Sequence, residues 1–239
     1  MGYGAVTSST ASSPSSSGAG PSGYDSVLAV VAHPDDESFG LGAVLCELVE
    51  RSASVSVLCF THGEASTLAT TPGDLGRIRS GELAAAAGEL GITAVELREH
   101  HDGGLPAVPI AALVQEVAAT AGRARADLLV AFDEGGVTGH PDHVRATEAA
   151  VAAGRALGLP VLGWAVHRFV AERLNAEFAT SFLGRGDDEI DFVLEVDRTR
   201  QLRAIRRHES QSTENPVLWR RLELAGGLEP LRWLRPEGR

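Results

Sequence analysis

Residues 26–37 read SVLAVVAHPDDE. The run from residue 26 to residue 32 is apolar and β-branched, which is typical of a strand that is buried on both faces. Apolar residues then recur at helical spacing over residues 41–51, so the strand leads through a polar loop into a helix. A strand–loop–helix unit of this kind predicts a parallel sheet that is covered by helices.

The alternation of strand and helix continues along the chain. The patterns predict strands at residues 53–60, 93–97, 127–132 and 161–167, and helices at residues 75–90, 109–123 and 141–157. Beyond residue 167 they indicate a strand at 191–195, a helix at 197–208, and a short helix and strand near the C-terminus. We therefore expect an α/β fold with a mostly parallel sheet and helices on both faces.

The length and hydrophobic content are those of one folded domain. The chain has 239 residues, of which 44% are hydrophobic, and this is enough to bury a full core. Residues 1–24 are rich in Ser and Gly and lack the pattern of a secretion signal, so we expect a disordered tail before a single domain at 25–239. No apolar run approaches the ~20 residues that span a bilayer. We expect a cytoplasmic protein, and the sequence leaves its oligomeric state open.

The charge balance excludes several classes of protein. Arg supplies all 21 basic residues, and 32 acidic residues bring the formal net charge to −11. Because no run of basic residues is present, we do not expect nucleic acid as a partner. Because lysine is absent, the chain cannot form a Schiff base or use a Walker lysine. Cys46 and Cys59 lie in apolar segments without metal-binding spacing, so we expect them to be reduced core residues.

Side chains that can bind a metal follow the first predicted strand directly. His33 and Asp36 are three residues apart across a turn at Pro34, so an imidazole nitrogen and a carboxylate oxygen can reach one cation, while Asp35 points elsewhere. Ligands of open α/β sheets bind at the carboxyl ends of the strands, where this loop lies. Acidic residues at such a place also commonly cap the following helix, but capping does not explain the histidine.

A second cluster follows the fourth predicted strand. Residues 133–143 read DEGGVTGHPDH, and His140 and His143 flank Pro141 with the same offset of three residues. If the strands order as 3-2-1-4-5, the first and fourth strands are neighbours, and the two clusters meet where the strand order reverses. Two histidines and one carboxylate form a common catalytic zinc site, although the cell can also supply iron, cobalt or nickel to such ligands.

Five sequence blocks together are similar to a known family. They are AHPDDE at 32–37, THGE at 61–64, RSGEL at 79–83, GHPDH at 139–143 and HESQ at 208–211. In this combination, over about residues 26–212, the chain resembles the LmbE-like, PIG-L family of N-acetylglucosaminyl deacetylases. The resemblance implies a Rossmann-like fold, one zinc ion per chain, and hydrolysis of an N-acetyl amide on a small amino-sugar conjugate.

The resemblance also implies roles for individual residues. The zinc ligands would be His33, Asp36 and His143. Asp35 would be the general base, because it is the free carboxylate nearest to these ligands. His140 would stabilise the oxyanion or protonate the leaving amine, and Asp142 would orient His140.

Two further residues are expected to contact the substrate, Arg79 because it matches an arginine of the family and Asp102 because of its place after a strand. Arg79 would grip hydroxyl or phosphate groups, but an exposed helix arginine paired with Glu82 explains its position equally well. Asp102 follows the third predicted strand and would lie at the same edge of the sheet. We expect Glu37 to organise the first loop, and we leave open whether His208, Ser210 and Gln211 close the pocket or end a helix.

Three alternatives stay open on the sequence alone. A zinc amidase with a differently shaped pocket would cleave a larger acyl group from a thiol-sugar conjugate by the same chemistry. A non-catalytic module would use the fold to bind a metal or a partner, but every position of the motif is present here. A second metal ion is conceivable from Asp35, Glu37 and Asp133, yet nothing in the sequence fixes a bridging carboxylate.

Overall fold

A computed structural model describes residues 21–68 and 74–234 of the chain. Residues 1–20, which make up most of the tail predicted at 1–24, lie outside the described residues. Tyr24 lies inside them and packs its ring edge-on against Trp233, with 6.2 Å between the ring centroids. The packed part of the chain therefore includes a residue of the predicted tail.

Strands and helices alternate in the order that the sequence predicts. The strands are β1 (Ser26–Val31), β2 (Ser54–Thr61), β3 (Ala94–His100), β4 (Leu128–Phe132), β5 (Val161–Trp164), β6 (Phe192–Glu195) and β7 (Leu228–Trp233). The helices are α1 (Asp36–Phe39), α2 (Gly42–Glu50), α3 (Leu75–Leu90), α4 (Ile110–Ala124), α5 (Pro141–Leu157), α6 (Arg168–Phe178), α7 (Thr199–Arg207), α8 (Glu209–Ser212) and α9 (Pro216–Ala225). Short 3-10 helices occur at Leu105–Ala107 and Asp187–Glu189.

The strands form one mostly parallel sheet in the order β3-β2-β1-β4-β5-β7-β6. The pairs from β3 to β5 are all parallel, whereas β7 runs antiparallel to both β5 and β6. The predicted fold class and the predicted order 3-2-1-4-5 are both confirmed. The order reverses between β1 and β4, so a crevice opens at the carboxyl ends of these two strands.

Both faces of the sheet are covered, and β1 explains why. Successive side chains of a strand point to opposite faces. Val27, Ala29 and Val31 belong to the core cluster that contains the apolar residues of α2. Leu28 and Val30 belong to the cluster on the other face, which contains those of α4 and α5. After the part-buried Ser26, the rest of β1 is buried on both sides, and this is why residues 27–31 read as an unbroken apolar run.

The sequence analysis missed three helices, α6 and the four-residue helices α1 and α8, and overextended one strand. Strand β5 ends at Trp164, not at residue 167, and the chain then forms helix α6, which the patterns did not predict. Three residues of α6, Val170, Ala171 and Leu174, are buried, so its apolar stripe is narrow. None of the described helices has the length and apolar character that crossing a membrane requires.

Gly154 marks a close approach of α5 to the sheet. A Cβ at this position would lie 2.4 Å from Val161 Cγ2 and 3.0 Å from Leu159 O. We expect Gly154→Ala to lower the free energy of unfolding by about 1–3 kcal/mol, because the core must shift to admit the methyl group.

Gly81 in α3 is the matched control, since a Cβ there would meet no described atom within 4 Å. Gly81→Ala is expected to raise the free energy of unfolding by about 0.5–1 kcal/mol through backbone entropy alone. Urea unfolding of both variants measures the two effects. Shifts of the same sign would contradict the packing described for Gly154.

Candidate active site

A cleft of about 720 Å³ opens at the carboxyl ends of β1 and β4. This volume lies within the usual range for small-molecule sites. The predicted site residues that line the cleft are His33, Asp35, Asp36, Arg79, Asp102, His140 and His143. Asp142 lies beneath them and is fully buried. The structure therefore brings all eight predicted residues together.

Three of the predicted side chains converge on one point. The Nδ1 atom of His33 lies 3.0 Å from Nε2 of His143. The carboxylate of Asp36 lies 3.1 Å from that Nε2 through Oδ1 and 3.8 Å from His33 Nδ1 through Oδ2. Ligand atoms of a tetrahedral zinc site, with bonds of about 2.0–2.1 Å, stand about 3.3 Å apart. Each pair of these side chains thus has possible ligand atoms within 3.8 Å of each other, with Asp36 facing His143 through one oxygen and His33 through the other.

The second ring nitrogen of each histidine, which points away from the other histidine, also has a polar partner. His33 Nε2 lies 3.1 Å from Asp102 Oδ1 and 3.3 Å from Asp142 Oδ2. His143 Nδ1 lies 2.7 Å from the hydroxyl of Thr138. Histidines that bind metals typically use one nitrogen for the metal and tie the other to a carboxylate or another polar group. Both imidazoles show this pattern, and it fits a metal between them.

Two combinations of side chains bring one ligand atom from each member within 4.8 Å of one another, namely His33 with His140 and His143, and His33 with Asp102 and Asp142, and Asp36 belongs to neither. Asp36 fits better than His140, whose Nδ1 accepts the backbone N–H of Asp142 at 3.2 Å. The second combination is disfavoured because both oxygens of Asp142 accept backbone N–H groups, at 2.7 and 3.1 Å. Asp36 accepts two backbone N–H groups through Oδ2 alone, and its Oδ1 faces His143.

The expected contact between the carboxylate of Asp142 and His140 is wrong. The carboxylate contacts His33, and only the backbone N–H of Asp142 contacts His140. Helix α5 begins at Pro141, with His140 as its N-cap, so the N–H of Asp142 points back at the His140 ring. A backbone N–H is always a donor, and His140 Nδ1 must therefore be the acceptor, which leaves the ring proton of neutral His140 on Nε2.

The electrostatics of the cleft favour a cation. Burial opposes protonation of His33, but the hydrogen bonds to Asp102 and Asp142 and the charge of Asp36 outweigh it and raise the pKa of His33 to about 10. Burial would raise the pKa of Asp36, but the charges of His143 and His33 lower it below its usual range. The carboxylates around His33 thus stabilise positive charge at this point, and a bound divalent cation would supply it.

Asp35 is held in an unusual backbone conformation. Its φ of 137° and ψ of −26° lie outside the regions that residues with a Cβ commonly adopt. Its N–H donates to Glu37 Oε2 at 3.0 Å, and its carboxylate accepts from Arg79 Nη2 at 2.8 Å. Burial raises the pKa of the Asp35 carboxyl to about 6, although the charge of Arg79 opposes this. Strained residues of this kind cluster at functional sites.

Arg79 is not an exposed helix arginine, so the suggested pairing with Glu82 is wrong. Its side chain is buried and donates to Gly63 O at 2.6 Å and Pro34 O at 2.7 Å, besides Asp35. Glu82 instead accepts from the backbone and the hydroxyl of Ser210. Arg79 therefore ties the loop after β1 to the loop after β2, and contact with substrate stays a prediction.

A buried pair behind the first loop was only partly anticipated. His208 Nε2 lies 2.7 Å from Glu37 Oε1, and neither side chain is exposed. Burial would lower the pKa of His208, but the charge of Glu37 outweighs it and raises that pKa. Glu37 thus organises the loop as expected, through the N–H of Asp35. His208 neither lines the cleft nor closes it, but supports Glu37.

The carboxylates proposed for a second metal have other partners. Glu37 contacts His208, and Asp133 accepts from Arg185 at 2.5 Å and from Arg232 at 3.1 Å. These contacts leave one predicted cation position in the cleft, between His33 and His143.

Comparison with known proteins gives a family. The model of the PIG-L family, described as GlcNAc-PI de-N-acetylase, matches residues 28–154. A 1D-myo-inositol 2-acetamido-2-deoxy-alpha-D-glucopyranoside deacetylase from Mycolicibacterium smegmatis is 31% identical in an alignment of 237 positions, gaps included, which covers 80% of this chain and 81% of the relative.

Solved structures share the fold at lower identity. The antimicrobial reagent A40926 pseudoaglycone deacetylase Dbv21 has a TM-score of 0.68 and 21% identity, with coverage of 90% of this chain and 99% of that one. GalB, the 4-carboxy-2-hydroxymuconate hydratase from Pseudomonas putida KT2440, also has a TM-score of 0.68, at 18% identity over 90% of this chain and 98% of that one. The fold by itself therefore does not define the reaction. The match to the family model and the 31% identity with the mycobacterial relative over most of both chains nevertheless show that the chain belongs to the PIG-L, GlcNAc-PI de-N-acetylase family.

Proposed function

We propose that this protein is a zinc-dependent hydrolase that removes an acetyl group from the amide nitrogen of a glucosamine-containing small molecule. The convergence of His33, Asp36 and His143 on one point carries the proposal. It is supported by the relatives, whose names describe deacetylation of an acetamido sugar. Family membership reduces the number of candidate reactions, and the side chains of the cleft provide the groups that the proposed reaction needs.

The residues present fit one divalent metal ion. His33, Asp36 and His143 would hold it, and Asp102, Asp142 and Thr138 would orient the two imidazoles. When bound, a zinc ion would polarise the amide carbonyl and make water a stronger nucleophile. The absence of thiolates from the ligand set suits a catalytic site better than a structural one.

Asp35 is the base in this proposal. It lies next to the ligand Asp36 in sequence, but its carboxylate contacts Arg79 and is not needed by the ligand set. It would accept a proton from the attacking water and then return that proton to the leaving amine nitrogen. The raised pKa of Asp35, about 6, suits both halves of this transfer better than an ordinary aspartate would.

His140 would donate a hydrogen bond to the carbonyl oxygen as negative charge develops there. Burial and the charges of His33 and His143 lower the pKa of His140, so it is mostly neutral near pH 7. With Nδ1 occupied by the N–H of Asp142, neutral His140 carries its proton on Nε2. This tautomer favours stabilisation of the oxyanion over protonation of the amine, which are the two roles that the sequence left open.

We expect Asp35→Asn to lower kcat/KM by about 10²–10⁴-fold, because the variant removes the base but keeps the shape of the loop. The measurement is fluorescamine detection of free amine released from a panel of N-acetylglucosamine conjugates, with metal content determined on the same samples. The panel includes larger N-acyl groups, since faster cleavage of these would favour the amidase alternative.

Asp188→Asn is the matched control, because Asp188 lies on an exposed turn outside the cleft. It is expected to leave kcat/KM unchanged. Full activity of Asp35→Asn would remove Asp35 from the mechanism. If the wild-type protein, with one zinc bound per chain, released no amine from any compound of the panel, a non-catalytic metal-binding module would be favoured.

Metal removal tests the ligand set separately. Dialysis against a chelator should abolish amine release, and zinc should restore it, because the proposed reaction needs the metal to polarise the amide carbonyl and activate water. Zinc at 100 times its Kd should also raise the free energy of unfolding by about 2.7 kcal/mol, which thermal unfolding can follow without substrate.

His143→Ala is expected to lose both the restored activity and the stabilisation by zinc. Reloading with iron, cobalt or nickel ranks the metals that the site accepts. Undiminished activity of protein with no detectable metal would refute the metal dependence.

A further inference from the structure

The cleft continues past His143 along an aromatic wall. The ring of Phe132 stands edge-on to His143 with 5.0 Å between centroids, and the Trp164 ring lies 5.1 Å from that of Phe132. The guanidinium carbon of Arg221 lies 5.1 Å from the centroid of the Trp164 ring. Leu218 joins these residues in lining the same cleft. A substrate in the candidate active site can therefore reach Arg221 along a continuous surface.

Arg221 is a buried cation with few partners. It is 4% exposed, and its guanidinium has five N–H donors. Within the described residues its one hydrogen bond runs from Nη2 to the carbonyl oxygen of Phe39. Burial lowers the pKa of Arg221 to about 10, although the charge of Glu229 opposes this, so the side chain is still protonated at neutral pH.

Glu229 is the nearest candidate counterion, but it is engaged elsewhere. Its carboxylate pairs with Arg198 and accepts the Trp164 indole N–H at 2.7 Å. Other buried or half-buried arginines of the described chain do have a carboxylate, as Arg79 does in Asp35. Arg221 thus depends on the face of Trp164 and one carbonyl, although a buried charge is costly without a counterion.

We propose that Arg221, with Phe132, Trp164 and Leu218 around it, forms a subsite for a carboxylate group carried by the substrate. The inference rests on the proposed function, since the carboxylate belongs to the same molecule whose amide is cleaved. The planar guanidinium can donate two parallel hydrogen bonds to a carboxylate. One negative charge matches the one positive charge, whereas a phosphate dianion would leave excess charge among apolar side chains.

The position of Arg221 also separates charges of opposite sign within the cleft. Asp35, Asp36 and Asp102 surround the candidate metal position and would repel an anion there. Arg221 lies at the aromatic end, beyond Phe132 and Trp164, where the described lining contributes no carboxylate. The cleft therefore favours a substrate whose acidic group lies some distance from the amide that reacts.

Two pairs of probes test the subsite, and each pair differs only in charge. N-succinylglucosamine and its uncharged succinamoyl analogue carry the carboxylate or carboxamide on the acyl side of the amide. The 4-carboxyphenyl and 4-carbamoylphenyl glycosides of N-acetylglucosamine place it on the opposite side. Calorimetric titration of each probe into zinc-loaded Asp35→Asn protein measures binding without turnover, and kcat/KM of the wild type is measured in parallel.

We expect the carboxylate member of at least one pair to bind about tenfold or more tightly than its neutral partner, as a charge-assisted hydrogen bond would give. Adding Arg221→Met should reduce this preference to less than about twofold. Adding Arg220→Met should not change it, because Arg220 is the neighbour on α9 and pairs outside the cleft with Glu177 and Glu223.

Each contrary result has a defined meaning. A preference for the carboxylate that persists in Arg221→Met would mean that the carboxylate binds the metal, and this result would overturn the subsite. The subsite would also be overturned if neither pair of probes showed a preference, or if neither pair bound. If Arg221→Met does not fold, Arg221→Lys replaces it, because lysine keeps the positive charge but lacks the two parallel N–H donors of the guanidinium. An unchanged preference for the carboxylate in Arg221→Lys would also overturn the subsite. If the preference depends on Arg221 but no probe is hydrolysed by the wild type, the subsite stands and the proposed hydrolase function fails.

Discussion

The parallel pairing of β1 with β4 is the constraint on which the candidate site depends. The two strands align Val27 with Leu128 and Ala29 with Val130, so they end at the same edge of the sheet. The histidines that follow them are 110 positions apart in the chain, yet their ring nitrogens come within 3.0 Å. Neither loop holds a complete ligand set, and the sheet supplies the missing proximity.

The sequence predicts what is encoded locally. Strand β1, the loop after it and the start of α5 at Pro141 each have a signal within a few residues, and the strand order then places the two clusters together. Contacts between distant segments carry no such signal. Glu37 and His208 are 171 positions apart, and nothing near Arg79 in the sequence indicates that its side chain turns inward to Pro34.

The difference between local signals and contacts made by the folded chain also explains where the sequence-based predictions failed. Asp142 lies one position before a predicted ligand, but the sequence does not say which ring its carboxylate faces, and that depends on the backbone at the start of α5. Helix α6 was missed because the start of this helix has no sequence signal: its first turn contains neither a proline nor an acidic residue. Arg221 stands in a C-terminal helix with no motif, so its place in the cleft is visible only in three dimensions.

Asp142 connects two functions by different chemical groups. Its side chain contacts His33, whereas its main-chain N–H holds His140. Every amino acid except proline has that N–H, so the hydrogen bond to His140 does not depend on the side chain of residue 142, whereas the contact with His33 does. A substitution at position 142 can therefore change the support of His33 and leave the donor to His140 in place.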